Sequence, residues 1–210
     1  MRGTMASPSV ATAGQSVLIP VLPLSEACLF PEASLALVVD TPSVVRALEM
    51  ARRTGRRILA VAQKDAAAAI PSARDLHAVG TLADLAEDVV VDGGAHRIEL
   101  DGLQRARIGT VVGLDTFVAE VELLAEGDAG DEWGPAVEAL ARYLHAHANL
   151  RSFIDQQRRS KEPMAWVNLA CQYLPIAGSA RQRLLECGAS ERCVKISRGL
   201  DALLRKEHAS

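Results

Sequence analysis

The hydrophobic positions of this chain change period near its middle. From Val17 to about Leu124 they come in short runs broken by turn signals, and after about residue 135 they recur every three or four residues. The first pattern reads as strands and the second as helices. "VLIPVLPL" (17–24) is apolar, but Pro20 and Pro23 lack the N–H that a central ladder uses, so it predicts an edge strand. "SLALVV" (34–39) predicts a short buried strand. In "DTPSVVRALEMARR" the period becomes helical: Thr41 stands where a cap would, Pro42 suits the first turn, and Val44, Val45, Leu48 and Ala51 share a face that Gly55 closes. "RRILAVAQ" (56–63) is continuously apolar and predicts a central strand, with "AQKD" at its end supplying turn and surface residues.

Further along, "HAVGTLADLAEDVVV" (77–91) predicts a long bent strand with Gly80 as its bulge. "DGG" (92–94) predicts the hairpin turn before "AHRIEL" (95–100), and "LQRARIGTVV" (103–112) and "TFVAEVELL" (116–124) complete the strands. The last alternates, with Phe117, Ala119, Val121 and Leu123 on one face. The Gly/Asp-rich "AEGDAGDEWGP" (125–135) reads as a linker. Beyond it Trp133, Val137, Leu140 and Leu144 mark one helix, and Val167, Cys171 and Leu174 a second. A third covers 179–187, capped by Ser179 and ended by Gly188, and a last one carries Cys193, Ile196, Leu200 and Leu203 with Ser190 as cap. Strands followed by helices predict an α+β fold.

Composition sharpens this picture in three ways. Only seven of the 210 residues are aromatic, so the core is built from Val, Leu, Ile and Ala. Residues 1–132 carry 11 basic against 19 acidic side chains, whereas 133–210 carry 12 against 7, which predicts two surfaces of opposite sign that attract each other. The overall charge of −3 argues against a general affinity for nucleic acid. No run approaches the roughly 18 apolar residues that span a bilayer, and the opening "MRGTMASPSVATAGQS" lacks a signal-length apolar block and reads as a flexible tail. Cys28, Cys171, Cys187 and Cys193 form no CxxC pair and no zinc spacing, so free, mostly buried thiols in a reducing cytoplasm are expected.

The chemistry of catalysis is missing from the pattern. There is no Walker phosphate loop, no G-x-S-x-G, no H-E-x-x-H and no dinucleotide fingerprint, so no catalytic residue, cofactor or metal is expected. His145 and His147 stand two apart on a predicted helix, roughly 200° from one another, and cannot share a metal there. Asp84, Glu87, Asp88 and Asp92 read as a solvated acidic face, and "RRTGRR" (52–57) and "RRSK" (158–161) as basic surface without the aromatic platforms that stack bases.

Four stretches in register resemble one family. "IPVLPLSEACLFPEASLALVV" (19–39), with Leu22-Pro23-Leu24 and then Phe30-Pro31, resembles the opening of the Lon protease N-terminal domain. "VVRALEMARRTGRRILAVAQKD" (44–65), "DLHAVGTLADL" (75–85) and "LDGLQRARI" (100–108) are similar to its next elements, and "LLECGASERCVKISRGLDALL" (184–204) to its closing helices. The resemblance implies a β-rich PUA-like pseudobarrel over 17–126 with one early helix, a linker over 127–134 and a helical bundle over 135–210, after a tail over 1–16. It departs from the family at Glu32, where Gly is common, which predicts a different turn there.

The resemblance also implies a function. A complete Lon protease continues into an ATPase module and a Ser-Lys peptidase, so this chain is expected to be a stand-alone, non-catalytic form of the substrate-recognition part. Its expected partners are polypeptide clients or a protease, with a homo-oligomer compatible, and its candidate contacts are the loop residues Leu29 and Phe30. The same two residues also fit core packing. Two other readings stay open: a nucleic-acid-binding protein on the same barrel type, against which the acidic β-rich half argues, and the N-terminal piece of a full ATP-dependent protease.

Overall fold

The computed structural model describes residues 18–25, 27–65, 71–113, 116–158 and 162–208, so the expected tail lies outside the described residues. Six strands and six α-helices occur among them: β1 (Leu18–Leu24), β2 (Ser34–Val39), α1 (Pro42–Arg53), β3 (Arg57–Ala62), β4 (Val79–Val90), β5 (His96–Val112), β6 (Val118–Leu123), α2 (Trp133–Ala146), α3 (Ala148–Gln157), α4 (Pro163–Tyr173), α5 (Gly178–Glu186) and α6 (Ala189–His208). The fold is α+β, with one early helix, α1, among the strands and the other five helices after them. Strand order is β2-β5-β4-β3-β1-β6, and β6 pairs back onto β5, which closes β5, β4, β3, β1 and β6 into a ring from which β2 extends.

Closure overturns the edge assignment of the first strand. β1 pairs in parallel with β3 from Val21 to Leu24 and antiparallel with β6 from Leu18 to Pro20. Main-chain groups alternate sides along a strand, and Val21 donates to Phe117 O on the β6 side (2.9 Å). Pro20 therefore turns its missing donor toward β3 before that ladder begins, and Pro23 turns its own toward β6 after that ladder ends. The two prolines are tolerated because the strand changes partner between them.

β1 and β3 are continuously apolar because both of their faces are buried. Ile19, Val21, Leu59 and Val61 fill the ring with Ala106 and Ala119. Leu22, Leu24, Ile58 and Ala60 point the other way, into a larger cluster shared with the helices. α1 lays Val44, Ala47, Leu48 and Ala51 on that cluster, so Ala47 takes the buried place expected for Val45, and Thr41 caps through its carbonyl (Val45 N to Thr41 O, 3.0 Å) with no side-chain bond.

Two glycines mark close approaches between segments. A Cβ on Gly80 would stand 2.4 Å from Ala60 O, and the register shifts of β4 fall at Leu82/Ala83 and Leu85/Glu87, so Gly80 is a packing glycine and not the bulge. At Gly102 a Cβ would stand 2.2 Å from Phe30 O. That crossing explains why β5 runs unbroken for 17 residues through Asp101-Gly102, where the sequence suggested two strands.

The helical part differs from expectation at its boundaries. α3 leaves no apolar period in the sequence, since Ile154 is its only buried residue. Ser179 and Ser190 lie inside α5 and α6, and Gly188 opens α6 by accepting from Arg192 N (2.9 Å). Beyond β3, Gln63 bridges to Leu76, and Lys64 ties down the next turn through its main-chain N to Asp75 O and its Nζ to Arg74 O (2.7 Å each). "AQKD" is thus a clamp between two segments of backbone.

A buried polar seam joins β5 to the helices. Arg192 of α6 is fully buried and donates to Leu184 O (2.9 Å), Cys187 O (2.8 Å), the Asn168 side chain (2.5 Å) and the Glu126 carboxylate, while its guanidinium lies 5.6 Å above the Phe30 ring. Arg105 of β5, 3% exposed, donates to the other Glu126 oxygen (2.9 Å), to Leu185 O (3.2 Å) and to Ala125 O (3.1 Å). Replacing Glu126 by Gln leaves two withdrawn guanidinium groups without their anion, and about 3 kcal/mol of stability should be lost. Urea unfolding checks this, with a lower midpoint expected at unchanged slope.

Glu32 carries a second stability prediction. It holds φ +66°, the left-handed conformation that costs a side-chain-bearing residue roughly 1–2 kcal/mol, and its N–H donates to Gly102 O (2.9 Å). The turn is thus the one a glycine would make, not a different one. Glu32→Gly should raise stability by about 0.5–1 kcal/mol after the entropic cost of glycine, and Glu32→Ala should not.

Asp75 gives a pH-dependent check. Hydrogen bonds from the Ser72 hydroxyl (2.7 Å) and Ser72 N–H (2.8 Å) hold its carboxyl below the usual value. The contribution is present above the ordinary carboxylate pKa and disappears as pH falls through the lowered one. An NMR titration should find Asp75 depressed, and Ser72→Ala should move it upward.

Candidate functional site

A groove of about 610 Å³ opens directly above the seam. One wall is the turn that carries Pro31 and Glu32, the second is Leu103 and Gln104 of β5, the third is the segment Glu126–Gly130, and the fourth is Trp133 with Met164, Ala165 and Asn168 of α4. The linker is held as a wall by Glu126 itself, whose carbonyl accepts from Ala189 N (3.1 Å) while its carboxylate binds the two arginines. Gln104 Nε2 donates to Leu124 O (3.2 Å), which ties the second wall to the end of β6, and Asp128 accepts from Gly130 N (3.0 Å) within the third.

The lips of this groove are apolar and its rim is acidic. Leu103 is 40% exposed on a strand position that faces away from the core, Trp133 and Met164 are half-buried, and Pro31 is buried beneath them. Glu32, Asp128 and Glu162 stand exposed around the opening. Such a surface takes an apolar side chain among Leu103, Trp133 and Met164 and favours positive charge beside it. It offers no nucleophile–base pair.

Leu29 and Phe30, the contacts suggested by the sequence, lie 1% and 0% exposed behind this groove. Leu29 O accepts from the Thr81 hydroxyl (2.5 Å), Phe30 N donates to the Gln172 side chain (3.0 Å), and the Phe30 ring lies under Arg192. The neighbouring Cys28 thiol donates to Gln182 Oε1 (3.6 Å), and Gln182 Nε2 donates to Val79 O (3.0 Å). In this conformation the two side chains position the groove through Pro31 and Glu32 and do not line it. Sequence reasoning missed Leu103, Trp133 and Met164 as a group, because they come from three separate elements.

The other sequence candidates disperse. His145 and His147 part at the end of α2, where His147 leaves the helix, stacks on Tyr143 (4.1 Å between centroids) and donates through Nδ1 to Tyr143 O (2.8 Å). Asp88 turns inward to Arg52 and to His96 Nδ1 (2.7 Å), so it leaves the acidic face and joins one of the basic residues of "RRTGRR". Of "RRSK", residues 159–161 lie outside the described residues. All four cysteines are free and buried, and burial pushes the thiols of Cys28 and Cys171 up to about 12. Among the described residues no helix is long and apolar enough to cross a membrane.

Comparison with known proteins gives this architecture its relatives. The sequence model of the ATP-dependent protease La (LON) substrate-binding domain matches residues 18–201. The chain is 39% identical over 127 residues to the Lon protease of Xanthomonas oryzae pv. oryzae, covering 60% of this chain and 15% of that protein. It is 35% identical over 97 residues to the Lon protease of Escherichia coli (strain K12), covering 46% and 12% respectively. The N-terminal domain of Mycobacterium avium complex Lon protease superposes with a TM-score of 0.72 at 19% identity over 88% of this chain and 98% of that one. A Lon N-terminal domain protein from Xanthomonas campestris gives 0.61 at 19% identity, over 85% and 95%. The matched region spans about one seventh of the first of these curated relatives or less, and with the family profile matched from β1 into α6 the chain belongs to the Lon substrate-binding domain family.

Proposed function

We propose that this chain is a non-catalytic, cytoplasmic module that recognises polypeptide, holding unfolded clients or presenting them to a protease. Family membership supports the class of ligand. The observation that carries the reading to a place on the molecule is the groove, whose apolar lips stand over a floor of fully engaged buried polar groups. A floor with its hydrogen bonds made has no need to close over the opening, so the lips stay available to a partner. Exposed Leu103 beside half-buried Trp133 and Met164 suits one apolar anchor side chain. Glu32, Asp128 and Glu162 suit a client residue that is lysine or arginine and would repel a phosphate backbone.

Binding of fluorescent ten-residue peptides tests the reading. Peptides with a central Leu or Phe flanked by Lys should bind, and acidic counterparts should bind at least tenfold more weakly. Leu103→Ser and Trp133→Ala should each weaken the basic peptides about tenfold, the effect of removing one anchor contact worth about 1.4 kcal/mol. Equal affinity in both variants, with the fold intact by circular dichroism, would place recognition elsewhere.

A further inference from the structure

The strand β2 leaves an open sheet edge. It pairs with β5 along one side, from Ser34↔Asp101 to Val39↔His96, and no strand lies on its other side among the described residues. In an antiparallel pair, alternate residues direct their main-chain groups to opposite edges. Gly102 N donates to Ala33 O (2.8 Å), which turns Leu35, Leu37 and Val39 toward β5 and leaves Ser34, Ala36 and Val38 facing outward. The Tyr173 hydroxyl, which donates to Ser34 O (3.1 Å), reaches it from that open side. Among the described residues the outward N–H and C=O groups of Ala36 and Val38 have no hydrogen-bond partner.

Proteins normally protect such an edge with a charge, a proline, a bulge or a covering segment. "SLALVV" contains no charge and no proline, its register with β5 is unbroken, and Val38 is 67% exposed. Beside the edge, directly opposed residues share the solvent face: Ala36 lies across from Glu99 and then Glu87, Ser34 across from Asp101, Asp84 and then Arg57, and Val38 across from Arg97, which pairs with Glu87 (3.3 Å), while the Ser34 hydroxyl donates to Asp101 (2.6 Å). The small Ala36 side chain therefore separates the edge from Glu99, on a face where four carboxylates outnumber two guanidinium groups. A strand added outside β2 would stand about 10 Å from the β5 backbone, and a lysine or arginine on it would reach over Ala36 to Glu99.

We propose that the β2 edge takes an extended segment of client polypeptide as a strand added along Ala36 and Val38, with a lysine or arginine over Ala36. The proposal rests on the polypeptide-binding reading for the nature of its occupant but uses a different surface from the groove. A second copy of the chain is the competing occupant, and self-association separates it from a client.

The test uses the unaltered chain and a fluorescent ten-residue peptide of alternating Lys and Val, measured by anisotropy at two salt concentrations. Methylating the peptide's main-chain nitrogens at alternate residues, in both registers, should weaken binding at least tenfold in one register. A Glu/Val peptide should bind at least tenfold more weakly, with the gap narrowing in high salt. Ala36→Pro removes an outward N–H that makes no bond to β5, so it should block the peptide tenfold or more while leaving the fold in place. Leu103→Ser should change neither result. Binding that survives both N-methylated peptides and Ala36→Pro would overturn the proposal, as would no binding of the Lys/Val peptide. Loss of binding in Leu103→Ser alone would return recognition to the groove, and self-association abolished by Ala36→Pro without peptide binding would make the occupant a second copy.

Discussion

One carboxylate, that of Glu126, stands between two guanidinium groups withdrawn from water, and the placement of the helices depends on it. Arg105 comes from the ring of strands and Arg192 from the last helix, so Glu126 neutralises charge from both sides of their contact. Burying one arginine without an anion is costly, and burying two close together adds their mutual repulsion. The sharing of Glu126, completed by Asn168 and by carbonyls at Leu184, Leu185 and Cys187, fixes the angle at which α6 meets β5. A purely apolar contact would leave that angle free to slide, because hydrophobic burial has no direction.

The loop from Cys28 to Ala33 is the counterpart of this seam. It crosses β5 where Gly102 has no side chain, puts Phe30 beneath Arg192 and sends its main-chain donors and acceptors to Gln172, Thr81 and Gly102. Buried loop backbone requires such partners. They come from the helices as well as the strands, so the loop joins the two halves of the core and leaves a turn at Glu32 that projects its acid to the surface. The strain stored at Glu32 is a local cost of that path.

Much of the strand pattern was legible because burial leaves a period. The two-faced burial of β1 and β3 produced continuous apolar runs, and β6 alternated because one face is wet. Closure of the ring was not legible, since period reports burial and not the partner strand. Pro20 and Pro23 then pointed to an edge, although each only needs a gap on one side. Asp101-Gly102 read as a break between two strands because a glycine that makes room for another segment looks the same in sequence as one that ends a strand. Arg192 left a trace, falling four residues before Ile196 on the apolar stripe of α6, yet an arginine there reads equally as a flank. The groove left none, because Leu103, Trp133 and Met164 become neighbours only when the helices are docked.

Polypeptide recognition of low sequence specificity needs surfaces that are unsatisfied and yet do not satisfy themselves. A flexible apolar patch would fold over or aggregate, whereas a rigid one waits. Here rigidity comes from the seam under the groove and from the continuous β5 ladder beside β2. Both surfaces also begin at the same short path, since Glu32 rims the groove and Ser34 opens the edge strand two residues later, within about 7 Å along the chain. Carboxylates outnumber basic groups beside both, which suits a positively charged extended chain at each. On the proposed reading, two weak contacts so close together would act on a single client with a high effective concentration, giving useful affinity without demanding a particular sequence.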